Sequence, residues 1–461
     1  MSADSLVRNE IWLPLQNWNG RLLNTGNGAM AGAIRYGGNQ DAMPDYSLAT
    51  GLRRGYAVAN SDLGTSPYQV DGYSAVGHVV KWYDFGFRAT HETAIVSKQI
   101  VARYYGRGQK AAYFAGCSTG GMQGLREAQQ FPDDFDGILV GNPGNNRSRL
   151  LLANQYQYML PKLYPADILS PAKLKLMSDA VLKACGTLGG GLASDPFLAA
   201  PQQCRWKPET LACTGSSQAG ACLTQGEIAL ANKMYDGPRN NKGEIIFPGL
   251  PRGTELGWQE FMEAAPIADP PFLGVNKSVL GQQWDWRKMD WDKDASTFIE
   301  IMGFLWDATN TDLTAFEKAG GKLMLYFGLA DSTAAADDAF DYYAKVGVRI
   351  AQREGLNPAK ALAKQQNFFR AFFFPGMGHC RGGLGPNTFD GVDVLAKWVE
   401  GKEAPASIVA SYTPPRSKSG PGVLAGGASG ESMTRPVCAY PKHAVYKGSG
   451  DRTRPENFNC R

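Results

Sequence analysis

The run Gly116-Cys117-Ser118-Thr119-Gly120-Gly121 contains a Gly-x-Ser-x-Gly pattern, which can make a serine a nucleophile. That chemistry needs small neighbours, because the backbone turns sharply from a strand into a helix and packs closely as it turns. The turn lifts the hydroxyl out of the sheet and leaves backbone N–H groups and a helix N-terminus beneath it. The bare pattern also arises by chance in a chain with 55 glycines, where it marks a surface turn. Its context favours the nucleophile. Ala111–Ala115 reads as a strand, and a helix is expected from about Met122 to Gln130.

A serine is a weak nucleophile at neutral pH and needs a base. The chain has four histidines, His78, His91, His379 and His443. His91 opens a helix ahead of the serine, where packing or capping is the simpler role. His78 and His443 have no strand end before them. His379 follows an apolar strand in the tight turn Gly376-Met377-Gly378, and is the expected base. The third member should be a carboxylate between serine and histidine in the chain. Asp331 comes just after the strand Lys322–Phe327. Its rivals Asp337, Asp338 and Asp341 read as the exposed face of the next helix. Asp331 would hold the imidazole in the useful tautomer and stabilise the imidazolium. An oxyanion needs two donors. The backbone N–H of Thr119 is one, and the loop Gly26-Asn27-Gly28 offers Asn27 or Gly28 as the other, unless it is a plain turn.

Eight cysteines are present. None forms a Cys-x-x-Cys pair and no histidine lies at zinc-finger spacing, so no metal centre is expected. Cys185/Cys204, Cys213/Cys222 and Cys438/Cys460 read as local loop staples. Cys117 and Cys380 remain, and they are the neighbours of Ser118 and His379. If the serine and histidine meet, these two approach the separation of about 4.4–6.8 Å between Cα atoms that a disulfide requires. The alternative is two buried free thiols. Disulfides imply an oxidising compartment, yet Met1–Glu10 is polar and lacks a leader's apolar core. The expectation is a secreted or periplasmic protein whose leader has been removed; reduced cysteines in the cytosol are the alternative.

The elements that position these residues follow an alternating rhythm. Tyr56–Ala59, Ala111–Ala115 and Gly137–Gly141 read as strands, with helices at His91–Tyr105 and after the serine. Strand, helix, strand in this order means a parallel sheet covered by helices. The rhythm stops near Asn145, and the chain reads as irregular to about Trp306, with four cysteines and several tryptophans. It resumes with a helix at Leu313–Ala319, strands at Lys322–Phe327 and Phe368–Phe374, and a closing helix at Val392–Glu400. The expected organisation is a catalytic α/β domain of residues 1–144 and 307–461 with an inserted lid domain of residues 145–306.

Composition excludes other classes. A net charge of +4 over 461 residues, without a Lys/Arg block, gives no basis for nucleic-acid binding. No run of 18 apolar residues exists to span a membrane. Nothing in the sequence signals an oligomeric state.

With these residues in view, the chain resembles the tannase and feruloyl esterase family. The resemblance rests on Gly-Cys-Ser-Thr-Gly-Gly, on Pro375-Gly376-Met377-Gly378-His379-Cys380, and on Trp18-Asn19-Gly20-Arg21 followed by Gly26-Asn27-Gly28. Phe135-Asp136-Gly137-Ile138 and Tyr446-Lys447-Gly448-Ser449-Gly450-Asp451 extend it from about Ile11 to the C-terminus. It implies an α/β-hydrolase core with a large lid, the triad Ser118, Asp331 and His379, a Cys117–Cys380 disulfide, the three local disulfides and export from the cytosol. Members often bind calcium through an Asp-rich loop after the first lid cysteine. Here Cys185–Asp195 keeps only Asp195, so no calcium and no other cofactor is expected. The segment that usually precedes the core in this family is also missing, through trimming or a shorter lineage.

The expected substrate is a small aromatic ester of the feruloyl or galloyl type, with a lid tryptophan such as Trp258 against its ring. Packing within the lid is the simpler role for any one tryptophan. A second enzyme reading is a terephthalate monoester hydrolase, as the resemblance includes such enzymes, with Arg252 or Arg287 on the free carboxylate. The third is an inactive binding protein on the same fold.

Overall fold

The structure is a computed structural model that describes residues 4–37, 45–67, 71–215, 220–263, 269–413 and 432–461. Seven strands form one sheet: β1 (Asn9–Trp12), β2 (Arg21–Thr25), β3 (Ala57–Ser61), β4 (Ala111–Cys117), β5 (Gly137–Gly141), β6 (Lys322–Gly328) and β7 (Phe369–Phe374). They lie in the order β1-β3-β2-β4-β5-β6-β7. β1 runs antiparallel to β3, and every other pairing is parallel. β3, β4 and β5 are buried along their whole length, which explains why they read as unbroken apolar runs.

Six helices matter for the site: α1 (Ala89–Tyr105), α2 (Thr119–Gln130), α3 (Arg147–Leu163), α4 (Lys293–Trp306), α5 (Ala336–Glu354) and α6 (Gly391–Gly401). Alternate residues of the strands face opposite sides. Phe114, Ile138 and Leu323 join Met122 of α2 and Tyr343 of α5 on one side. Tyr113, Leu139 and Met324 join Val392 and Trp398 of α6 on the other. The fold is that of an α/β hydrolase.

The segment expected to be irregular leaves the sheet after β5 and returns before β6; it is helical at both ends, while 186–224 and 237–254 hold no α-helix among the described residues. Besides α3 and α4 it holds helices at Pro171–Cys185 and Gln225–Asp236. Pro171 opens one of these helices, where its missing N–H costs nothing, whereas Pro161 lies inside α3 near its C-terminal end. Its two ends belong to the main core. Leu150 and Leu151 of α3 and Phe298, Met302 and Trp306 of α4 share one apolar cluster with the strands. A separate core from Leu160 to Met262 includes Leu174, Leu230 and Trp258.

Beyond α6 two short antiparallel pairs close the chain, Ser407–Ser411 with Thr434–Cys438 and Ala444–Tyr446 with Phe458–Cys460. Four disulfides are formed: Cys117–Cys380, Cys185–Cys204, Cys213–Cys222 and Cys438–Cys460. No helix among the described residues is long and apolar enough to cross a membrane.

One carboxylate clips α6 to the strands. Glu400 accepts bonds from Arg21 of β2 at 2.6 and 3.0 Å, Lys110 at 2.9 Å and Tyr113 of β4 at 2.7 Å. Partial burial pushes its carboxyl up, but those bonds outweigh it and bring it down to about 2. A depressed carboxyl stabilises the fold above its unfolded value and loses that effect as pH falls through the folded one. Glu400→Gln should therefore cost about 1–2 kcal/mol at pH 7, after allowance for solvent screening. The difference should fade from about pH 4.5 towards pH 2. Denaturant unfolding across that range checks it; a constant difference would contradict the role.

Candidate active site

Ser118 stands between β4 and α2 with φ 62° and ψ −116°, well outside helical and extended backbone. Close packing makes this turn fit. A Cβ on Gly26 would lie 2.6 Å from the Cα of Gly120 and 2.8 Å from that of Gly116, so three backbones meet without side chains. Hydrogen bonds fix the contact: Gly26 N–H donates to Ala115 at 2.8 Å, Gly120 N–H to Asn27 at 2.8 Å and Ser118 N–H to Gly141 at 2.9 Å. The helix was expected to begin near Met122. It begins at Thr119, because tertiary contact overrides the weak helix propensity of Gly120 and Gly121.

His379 and Asp331 are brought together from the ends of β7 and β6. His379 Nδ1 lies 2.7 Å from Asp331 Oδ2. Asp331 is buried and otherwise saturated. Its Oδ2 accepts from the Asn142 side chain at 2.7 Å, and its Oδ1 from the N–H groups of Thr333 and Ala334 at 2.6 and 3.1 Å. Asn142, just after β5, was missed in the sequence; its place past a strand end was the available signal. Of the rival acids, Asp337 and Asp341 are exposed. Asp338 is not: burial pushes its carboxyl up to about 6, against hydrogen bonds from Asn146. It packs beside the start of α3 rather than against His379.

Ser118, His379, Cys117 and Cys380 line one cavity of about 590 Å³, roofed by Phe272 and α3. The Cα atoms of Cys117 and Cys380 are 5.9 Å apart across their disulfide, which ties the turn that bears the serine to the one that bears the histidine. Asn27 and Gly28 also line the cavity. The N–H of Asn27 is spent on Gln123 Oε1 at 2.9 Å, so it is not available as an oxyanion donor. A Cβ at Gly28 would meet nothing within 4 Å, so its backbone is open to the cavity. Thr119 opens α2, where an N–H has no partner within the helix.

Three expected substrate contacts lie elsewhere. Trp258 is fully buried in the lid core, edge-on to Tyr235 at 4.7 Å, with its indole N–H on Thr254. A lid of this size needs its own apolar centre, and Trp258 supplies it. Arg252 lies over the Tyr235 ring and donates to Trp206, and Arg287 pairs with Asp285 at the surface. The cavity instead presents Tyr36, Phe272 and Arg147. Arg147, first residue of α3, is buried. Its Nη2 donates to the Ala29 carbonyl at 3.1 Å, and its Nε has no hydrogen-bond partner. Burial pushes its guanidinium down to about 10.

The calcium loop does not fit the ion. Asp195 is the only acidic residue in 185–195, and both its oxygens pair with Arg435 at 3.0 and 3.3 Å.

Known proteins are similar to this chain in sequence and in fold. A family model described as "Tannase and feruloyl esterase" matches residues 3–461. An uncharacterized esterase of Xanthomonas campestris pv. campestris is 31% identical over 502 residues, covering 100% of this chain and 82% of that protein. A probable feruloyl esterase B of Aspergillus clavatus is 29% identical over 479 residues, covering 100% and 84%. The crystal structure of feruloyl esterase B from Aspergillus oryzae superimposes with a TM-score of 0.84 at 25% identity, covering 100% of this chain and 88% of that one. Tannin acyl hydrolase from Aspergillus niger has the same fold, with a TM-score of 0.78 at 20% identity and coverage of 100% and 84%.

The three-glycine contact predicts a specific failure. Gly26→Ala should push the Asn27–Gly28 loop off the serine turn and lower kcat for an ester by about tenfold or more, with a fall in Tm. Steady-state kinetics and thermal unfolding measure both; unchanged kcat would show that the contact is not needed.

Proposed function

Because the chain belongs to the tannase and feruloyl esterase family and is a carboxylic ester hydrolase, we propose that it cleaves aromatic esters with Ser118, His379 and Asp331 as its triad. The observation that carries this reading is the 2.7 Å contact from His379 Nδ1 to a saturated, buried Asp331, in a cavity shared with Ser118. Asp331 fixes the proton on Nδ1, so Nε2 is the basic nitrogen facing the serine. Ser118 Oγ attacks the ester carbonyl as His379 takes its proton. The N–H groups of Thr119 and Gly28 receive the negative charge on the carbonyl oxygen. His379 returns the proton to the departing alcohol, and water then repeats the sequence to release the acid. The surrounding Phe272, Tyr36, Leu150 and Leu151 suit a flat ring. No calcium takes part in this reading. Four disulfides support a secreted or periplasmic setting.

A second reading is favoured by Arg147. A buried guanidinium with an unpartnered Nε beside an apolar cavity suits an ester that carries a free carboxylate, such as a terephthalate monoester.

Ser118→Ala should lower turnover by about three orders of magnitude or more; near-normal hydrolysis would refute the triad. In a panel of methyl ferulate, methyl gallate, a terephthalate monoester and methyl butyrate, kcat/KM should be highest for the aromatic esters. Preference for the terephthalate monoester selects the second reading, and equal use of methyl butyrate rejects both.

The disulfide should matter to the same chemistry. Cys117→Ala with Cys380→Ala should leave the fold intact by circular dichroism yet reduce kcat by about tenfold or more, through looser placement of Ser118 against His379. Full activity in the double variant would make the bond purely structural.

A further inference from the structure

Away from the catalytic cavity, three side chains able to hold a metal converge. They are His91 of α1, Glu127 near the end of α2, and Asp134 in the loop that follows. One ligand atom from each lies within 4.8 Å of the others. His91 Nδ1 is 2.6 Å from Asp134 Oδ2, and the imidazole stacks on Phe131 at 3.8 Å.

Glu127 separates this cluster from an ordinary ion pair. It is fully buried, and neither of its oxygens accepts a bond from an N–H or hydroxyl group; its one hydrogen-bonding neighbour is the Asp134 carboxyl. Burial and the neighbouring Asp134 carboxylate push its carboxyl well above the usual range. Lys98 stands 3.8 Å from Asp134 Oδ1, and its charge acts on Glu127 only through space. A cation placed between two facing acids would stabilise both as carboxylates.

We propose that His91, Glu127 and Asp134 bind a divalent transition-metal ion, with zinc the best match. One imidazole nitrogen and two carboxylate oxygens form a donor set that zinc accepts, whereas calcium and magnesium prefer oxygen alone. A tetrahedral ion about 2.1 Å from each donor sets the donors about 3.4 Å apart. The atoms present span 2.6 Å to at most 4.8 Å, so small side-chain rotations reach that spacing. The His91 side chain is about a quarter exposed, which leaves a path for the ion and for a water as fourth ligand. Binding requires Glu127 as a carboxylate and the imidazole proton on Nε2. The ion would join α1 to the end of α2 opposite Ser118, nine residues or about 14 Å along the helix. Its role there is to brace the helix that carries the nucleophile, not to touch substrate.

The test uses the full chain without an affinity tag, stripped with a chelator and titrated with zinc sulfate. Native mass spectrometry and calorimetry should find one zinc per chain, retained in Ser118→Ala. Glu127→Gln and His91→Gln should each weaken it by about tenfold or more. Zinc should raise Tm of the parent and of neither variant. Glu127→Gln keeps the shape of the neutral acid, and His91→Gln changes a partly exposed ring, so a folded variant is available even if one fails. Absence of one-to-one binding, or binding undiminished in the folded variants, overturns the proposal.

Discussion

Ser118 holds a backbone conformation that a residue with a Cβ resists, and the meeting of Gly26, Gly116 and Gly120 keeps it there. The contact acts at both ends of the chemistry. It lets the strand turn into a helix within one residue, which exposes the hydroxyl. It also brings the Asn27–Gly28 loop against the first turn of that helix, so the nucleophile and the expected oxyanion donors share one rigid unit. Strain at a site persists only where the surroundings over-determine it. Here β4 and β5, buried throughout, and β2, buried from Leu22 onward, are those surroundings.

The histidine is held by different means. His379 sits in a loop, and loops are the less stable parts of a fold. Three constraints limit its freedom: the Asp331 carboxylate on Nδ1, the saturation of that carboxylate by Asn142 and two backbone N–H groups, and the covalent link through Cys380 to Cys117. The turns that bear Ser118 and His379 lie at the ends of strands that are not adjacent, β4 and β7, with β5 and β6 between them. The disulfide spans that gap directly.

The lid is bound to the sheet through its ends rather than by a hinge. α3 and α4 pack on each other and on the central strands, while the middle of the insertion closes around its own core. The first turns of α3 form one wall of the cavity. The same residues that attach this segment to the sheet therefore line the cavity beside Ser118 and His379.

Much was legible in the sequence because it depends on local chemistry. The serine turn carries its glycines in order, β5 was read to the residue, and Asp331 and His379 each follow an apolar strand. Cysteine spacing suggested three local pairs and left Cys117 with Cys380, and the family resemblance implied all four bonds. What the sequence did not determine were properties of packing between distant segments. Trp258 is an aromatic in a lid by sequence, and only the tertiary structure decides that it fills the lid core instead of facing the cavity. Arg147 reads as an ordinary cation until α3 is laid over the serine, where burial leaves its Nε unpartnered. Asn142, Gln123 and the His91–Glu127–Asp134 cluster likewise take their meaning from neighbours 36 to 189 residues away. Turn geometry and the positions of single strands are encoded over a few residues at a time. The identity of a cavity wall is set only when separate elements meet, because burial and electrostatic pairing are properties of the assembled fold.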